Sequence, residues 1–188
     1  MDYKEISQQM RRDVLGMTHR AQSSHIGSNF GCIDLLTVLY MNADLDQDQV
    51  VCKSWAAASV YALLAQKGVI PKEDLEKYGQ DNSPYYTILE PTVPTVRAAT
   101  GAMGYHLPFA VGFALSKKIK KEPGTIYCVI SDGECGVGST WESLLIGAHH
   151  NLDNLVLFID QNGLQAMGAV SDVLNTDPLD KKLEAFRW

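Results

Sequence analysis

Residues 129–165 read V-I-S-D-G-E-C-G-V-G-S-T-W-E-S-L-L-I-G-A-H-H-N-L-D-N-L-V-L-F-I-D-Q-N-G-L-Q. Two apolar runs, 125–131 and 155–160, flank a segment at 138–150 with helical character. The first run, T-I-Y-C-V-I-S, is continuous, as expected of a strand buried on both faces of a parallel sheet. Strand, helix and strand in that order predict parallel strands joined by a right-handed crossover. In open α/β sheets, ligands gather beyond the carboxyl ends of the strands. Asp132 follows the first strand and Asn162 follows the second, so the two can converge on one point.

Reading outward from this unit, apolar residues near helical spacing (Ile6, Met10, Val14, Leu15, Met17) predict an amphipathic helix over 4–22. Gly27-Ser28-Asn29 reads as a chain break. The run 32–41 reads as a buried helix, 49–52 as a short strand and 56–66 as an alanine-rich helix. Pro71, followed by Lys-Glu-Asp, opens a further helix with acids near its positive end. Residues 80–100 show no period and contain Pro84, Pro91 and Pro94, and a loop of that length is functional or mobile. Helix resumes over 106–118, where a basic end suits a helix C-terminus. The fold class expected is α/β: an open, mostly parallel sheet with helices on both faces, forming a single domain over 1–188.

A carboxylate, a carboxamide oxygen and a backbone carbonyl make a hard oxygen set, suited to Mg²⁺ or Ca²⁺ and not to zinc. Gly133 lets the chain approach a phosphate closely, and a following helix N-terminus favours an anion. Asp-Gly and Asn-Gly are also ordinary turn dipeptides, and each alone reads as a turn. Taken together as strand, Asp-Gly, helix, strand, Asn-Gly, they read as a metal–diphosphate cradle.

The bulk properties narrow the field. The 188 residues are 46% hydrophobic and 20% charged, with a net charge of −6. Such a chain can bury roughly 70% of its unfolded surface without staples. The acidic balance argues against a nucleic-acid-binding surface. No apolar run is long enough to span a membrane, and the N-terminus has no signal-peptide h-region. Cys32, Cys52, Cys128 and Cys135 form no C-x-x-C pair, which fits reduced thiols in a cytoplasmic protein.

The S-D-G-E stretch and the D-Q-N-G-L-Q stretch together resemble the thiamin-diphosphate motif, and more specifically the N-terminal half of transketolase. The resemblance runs along nearly the whole chain. S-H-I-G-S at 24–28, T-G-A-M-G at 100–104, A-V-G-F-A-L, W-E and A-H-H-N-L-D-N-L sit in that family's order. It implies a thiamin-diphosphate-binding fold of the diphosphate-binding type. It also implies that Asp132, Asn162 and the Leu164 carbonyl hold Mg²⁺, with Ca²⁺ as a substitute. The cofactor would be contacted by the Gly133 amide and by Gly101, Met103 and Gly104, with Glu142 of the W-E pair among the cofactor-binding residues. His25 would lie over the thiazolium ring and help move protons on sugar hydroxyls.

The resemblance has gaps. Trp55 in K-S-W-A stands where the family carries a histidine that touches diphosphate and substrate. Indole only donates a hydrogen bond, so the replacement is not in kind. A second substrate histidine is missing from S-P-Y-Y-T-I-L-E-P, where Tyr85 or Tyr86 is a candidate to fill its volume. Ser131 replaces the first glycine of G-D-G, and Val137 stands where relatives carry a glutamate at a contact between protomers. His106 occupies a place often held by glycine; it is either a polar group in the cleft, hence a second catalytic candidate, or a solvent-facing helix start.

By the same resemblance the usual domain continues past Trp188, and a pyrimidine-binding domain, here not in the chain, supplies the glutamate that activates the cofactor. The expected protein is therefore the N-terminal subunit of a split transketolase-like enzyme. It would transfer a two-carbon ketol unit between a ketose and an aldose, both small molecules. It would act only in a hetero-oligomer, a heterotetramer, with a separately encoded pyrimidine-binding C-terminal subunit. The alternatives are an E1-like acyl or ketol transferase delivering to a lipoyl or carrier-protein thiol, and a degenerate non-catalytic subunit.

Overall fold

The computed structural model describes residues 2–188. The chain forms two compact units, one comprising residues 2–44 and 53–101 and the other residues 45–52 and 102–188.

The first unit is built on three helices: α1 (Tyr3–Ala21), α2 (Ile26–Asn42) and α3 (Ala57–Gln66). Asp2 starts α1 by accepting the backbone N–H groups of Lys4 and Glu5 at 2.8 and 3.3 Å, which satisfies two donors that a helix leaves open. Met10, Val14 and Met17 are buried at 0–1% exposure, whereas Leu15 is 56% exposed. The expected apolar stripe is thus narrower, because Leu15 lies about 100° around the helix from Val14. The helix expected from residue 32 instead begins at Ile26. Gly27-Ser28-Asn29 is its first turn, and the break falls earlier, where Gln22 and His25 take left-handed backbone conformations (φ 49° and 71°). The α3 sequence has alanine or serine at half of its positions and is buried on all sides over Ala57–Leu64. Pro71 is followed by a 3-10 helix, Lys72–Lys77, and not by a full α-helix.

Residues 80–100 contain no helix or strand, but they are anchored. Tyr85, Leu89 and Val93 are buried at 4–5%. The Leu89 N–H donates to the Ser54 carbonyl at 3.1 Å.

The second unit holds a parallel sheet of β1 (Gln49–Cys52), β2 (Ile126–Ser131) and β3 (Leu155–Asp160), in the order β1-β2-β3. It is flanked by α4 (His106–Lys120) and α5 (Gly138–His149). The central strand carries the most apolar run: Ile126, Cys128, Val129 and Ile130 are all at 0% exposure. β3 is an edge strand among the described residues, and its outer residue Val156 is 38% exposed. Leu107, Ala110 and Ala114 of α4 and Leu144 of α5 complete this core. Beyond the predicted elements come a two-stranded antiparallel ribbon, β4 (Leu164–Gln165) with β5 (Gly168–Ala169), and two short helices, α6 (Val170–Leu174) and α7 (Leu179–Ala185). The C-terminal segment packs onto α5. The Trp188 indole N–H donates to the Leu144 carbonyl at 2.9 Å, and its ring fills the space a Cβ would need at Gly147.

Candidate functional site

β2 and β3 pair in register through Ser131↔Asp160, so both strands end level. That register delivers Asp132 and the Asn162 loop to the same edge. The Asp132 carboxylate is buried at 3%. One oxygen accepts the Gly163 N–H at 2.7 Å and the other accepts the Gly133 N–H at 2.9 Å. Asn162 turns back on its own loop. Its carboxamide oxygen accepts the Leu164 N–H at 3.0 Å, and its NH₂ donates to Asp160 at 3.1 Å. Asn162 and Leu164 are exposed, Leu164 at 66%. Asp132, Gly133, Asn162 and Leu164 are therefore assembled within one pair of strand-end loops. Glu142 is not among them: it is exposed on α5.

The chemistry of this edge suits a hard cation. No lysine, arginine or histidine forms an ion pair with Asp132 among the described residues. Among the described residues, no three His, Cys, Asp or Glu side chains converge there into a metal cluster; the side-chain oxygens at this edge are those of the Asp132 carboxylate and the Asn162 carboxamide. The negative field is felt locally. Burial and the charges of Glu134 and Asp132 push the neighbouring Cys135 thiol up to about 12, against a lowering pull from Lys182. Burial and Glu134 raise the Cys128 thiol as well. The carboxylate and carboxamide oxygens of Asp132 and Asn162 are of the kind that suits Mg²⁺ or Ca²⁺.

After β2 the chain makes a 3-10 turn, Asp132–Gly136, before α5 begins at Gly138. The Gly133 amide thus belongs to this turn and not to an α-helix N-terminus. Ser131 closes the turn with Glu134 in a reciprocal capping box, a device that needs a hydroxyl and a carboxylate three residues apart. Serine in place of glycine at 131 therefore has a structural use.

Glu134 is the residue sequence reasoning missed. Its carboxylate is 2% exposed. It accepts the Gly104 N–H at 3.0 Å and the Ser131 N–H at 3.2 Å, and meets the His106 Nδ1 at 2.6 Å. Ser139 holds the other side of Gly104 by donating to its carbonyl at 2.7 Å. Gly104 sits at φ 85°, and a Cβ there would come within 2.5 Å of Val137, so only glycine fits. His106 is fully buried, which excludes the solvent-facing alternative; its Nδ1 is engaged with Glu134. The S-x-x-E spacing at 131–134 was the available signal for this turn. Met103 remains 40% exposed.

Gly101 and His25 belong to the first unit. His25 is exposed and sits in a left-handed conformation at the start of α2. Its ring stacks on Trp55 with centroids 4.5 Å apart and planes 19° from parallel. Ser24 Oγ lies 2.8 Å from His25 Nδ1. Tyr85 does not serve as an open polar group. It is 5% exposed, donates to Asp74 at 2.7 Å and packs edge-on against Tyr61. Burial and the Asp74 bond push its phenol up to about 12. Tyr86 is 49% exposed.

Known proteins resemble this arrangement over its full length. Residues 1–187 match the sequence pattern of the family described as 1-deoxy-D-xylulose-5-phosphate synthase. A protein of Actinobacillus succinogenes, named as one of the subunits of an apulose-4-phosphate transketolase, is 35% identical, covering 99% of this chain and 73% of that protein. Its namesake from Phocaeicola vulgatus is 31% identical, covering 97% and 68%. The crystal structure of transketolase from Campylobacter jejuni superposes with a TM-score of 0.92 at 27% identity, over 99% of this chain. The chain spans only 32% of that enzyme. Strand-end loops, fold and sequence thus agree, and the chain belongs to the transketolase and 1-deoxy-D-xylulose-5-phosphate synthase family, in the part that forms the N-terminal domain of those enzymes.

Proposed function

We propose that this chain is the diphosphate-binding subunit of a cytoplasmic, transketolase-like transferase, formed by a single domain of that type. It works with thiamin diphosphate and Mg²⁺ to move a two-carbon ketol unit from a ketose to an aldose. The observation that carries the reading is the Asp132 carboxylate: buried, without a cationic partner among the described residues, and bridged to the Asn162 loop through Gly163. Asp132, Asn162 and the Leu164 carbonyl would hold the metal, and the Gly133 amide and the Gly101–Met103–Gly104 stretch would hold the cofactor. Glu142, exposed on α5, would be a further cofactor-binding residue outside that edge. When bound, the cofactor supplies covalent chemistry at a carbonyl carbon, and the protein supplies position and electrostatics.

His25 would exchange protons with substrate hydroxyls. His106 would act at one remove, with Glu134, on the loop that carries Gly104. Two relatives are named as single subunits of a transketolase, which supports a separately encoded partner bearing the pyrimidine-binding domain, in a heterotetramer. No helix of the described residues is long and apolar enough to cross a membrane.

One observation favours a second reading within the same chemistry. The apolar indole at Trp55, beside His25, alters the substrate side while leaving the metal side intact. That fits an acyl or ketol transferase with a specialised acceptor.

The test is calorimetric titration of thiamin diphosphate with Mg²⁺ into the assembled complex. Saturable binding that disappears in Asp132→Ala is expected. Absence of binding to the folded, assembled wild type would leave only a non-catalytic subunit.

A further inference from the structure

The His25–Trp55 pair has more restraint than a surface pair requires. A histidine with φ 71° occupies a conformation that non-glycine side chains rarely take, and such residues persist only where their surroundings over-determine them. Here the restraint comes from one side chain. Asn29 is fully buried. Its NH₂ donates to the His25 carbonyl at 2.9 Å and to the Trp55 carbonyl at 3.1 Å, and its oxygen accepts the Ser59 N–H at 2.8 Å. The backbones beneath both rings are therefore tied to a single carboxamide. Above that tie, the rings stack at 4.5 Å, and Ser24 engages Nδ1. The partner of one imidazole nitrogen sets the role of the other. Nε2 carries no protein partner among the described residues and is the nitrogen left for a ligand.

We propose that Trp55 is a positioning residue for His25: its indole fixes the imidazole plane so that Nε2 is presented to the hydroxyl of a polyhydroxylated carbonyl substrate. Asn29 sets the spacing of the two rings and Ser24 sets which nitrogen faces outward. This rests on the ketol-transfer reading. It adds that a residue unable to accept a proton is nonetheless required for the proton-handling one.

The test uses the assembled complex with thiamin diphosphate and Mg²⁺, ketose and ketose-phosphate donors, and the variants Trp55→Ala, Trp55→Phe and His25→Ala. Loss of a fixed geometry lowers kcat by about 100-fold in Trp55→Ala, with little change in cofactor affinity. Trp55→Phe, which keeps a stacking face, recovers most of that loss. A purely structural role would instead lower melting temperature and cofactor affinity together and would not distinguish phenylalanine from alanine; that pattern overturns the proposal. A readout independent of turnover is indole emission: His25→Ala changes it in the wild-type background and not in Trp55→Phe. An unchanged emission overturns the stack itself. Failure of the wild type to bind thiamin diphosphate removes the ketol-transfer reading and this role with it, while leaving the emission result intact. Cofactor binding with turnover indifferent to Trp55, or with no donor turned over, overturns the positioning role alone.

Discussion

The strand-end edge of the second unit and the paired loops of the first are held by different means. At the edge, the Ser131↔Asp160 register sets the geometry, and backbone N–H groups of the same two loops satisfy the carboxylate. In the first unit, His25 and Trp55 come from segments far apart in the chain, joined by the buried Asn29. A site on regular elements inherits its precision from the sheet ladder. A site on loops needs a dedicated side chain to supply it. Between these extremes stands Glu134, which is local to the strand end but clamps Gly104 from another segment.

That contrast can be broken at graded points. Glu134→Ala should be the most damaging, costing about 3–5 kcal/mol in urea unfolding, because it strips a buried partner from His106 and takes the acceptor from the Gly104 amide. Glu134→Gln should recover part of the loss, since it keeps an acceptor. Asp132→Ala should weaken thiamin diphosphate–Mg²⁺ binding by about 100-fold or more, about 2.7 kcal/mol, as read by calorimetry. If Asp132→Ala instead leaves affinity unchanged, the edge is a turn and not a cradle. Asn29→Ala should cost about 1–3 kcal/mol of stability by leaving the buried Ser59 N–H unsatisfied, and should loosen the ring stack, visible as a change in indole emission.

The smallest effect belongs to a pair outside both regions. Asp34 is held down to about 2 by hydrogen bonds from Arg11 and then Ser7. Its carboxylate is mostly exposed, so the pair contributes at most about 1 kcal/mol. A lowered carboxylate stabilises above its ordinary value and loses that contribution as pH falls. Arg11→Ala should therefore reduce the melting temperature slightly at pH 7, less at high salt, with the difference from wild type vanishing as pH falls from about 4 towards 2.

The second unit was the more legible. The run 125–131 matches β2 to within a residue, because a strand buried at the sheet centre writes itself as an unbroken apolar run; 155–160 matches β3, an edge strand that is half-buried along most of its length. The placement of Asp132 and Asn162 followed from that. The start of α2 differs from the expected one because Gly27 and Ser28 are poor helix formers by themselves, while the long-range bonds of Asn29 to Trp55 and Ser59 hold the first turn. Residues after 165 carry short elements whose only signal is packing, such as Trp188 against Gly147.

What the sequence determined by itself was periodic or motif-borne: the β-α-β unit, the placement of Asp132 and Asn162 beyond its strand ends, and the family resemblance. What only the tertiary structure decided was which distant side chains meet. The burial of His106 against Glu134, the withdrawal of Tyr85 to Asp74, and the stacking of His25 on Trp55 have no period to read. Such contacts depend on close packing and on satisfying each buried polar group, conditions that exist only once the chain has folded.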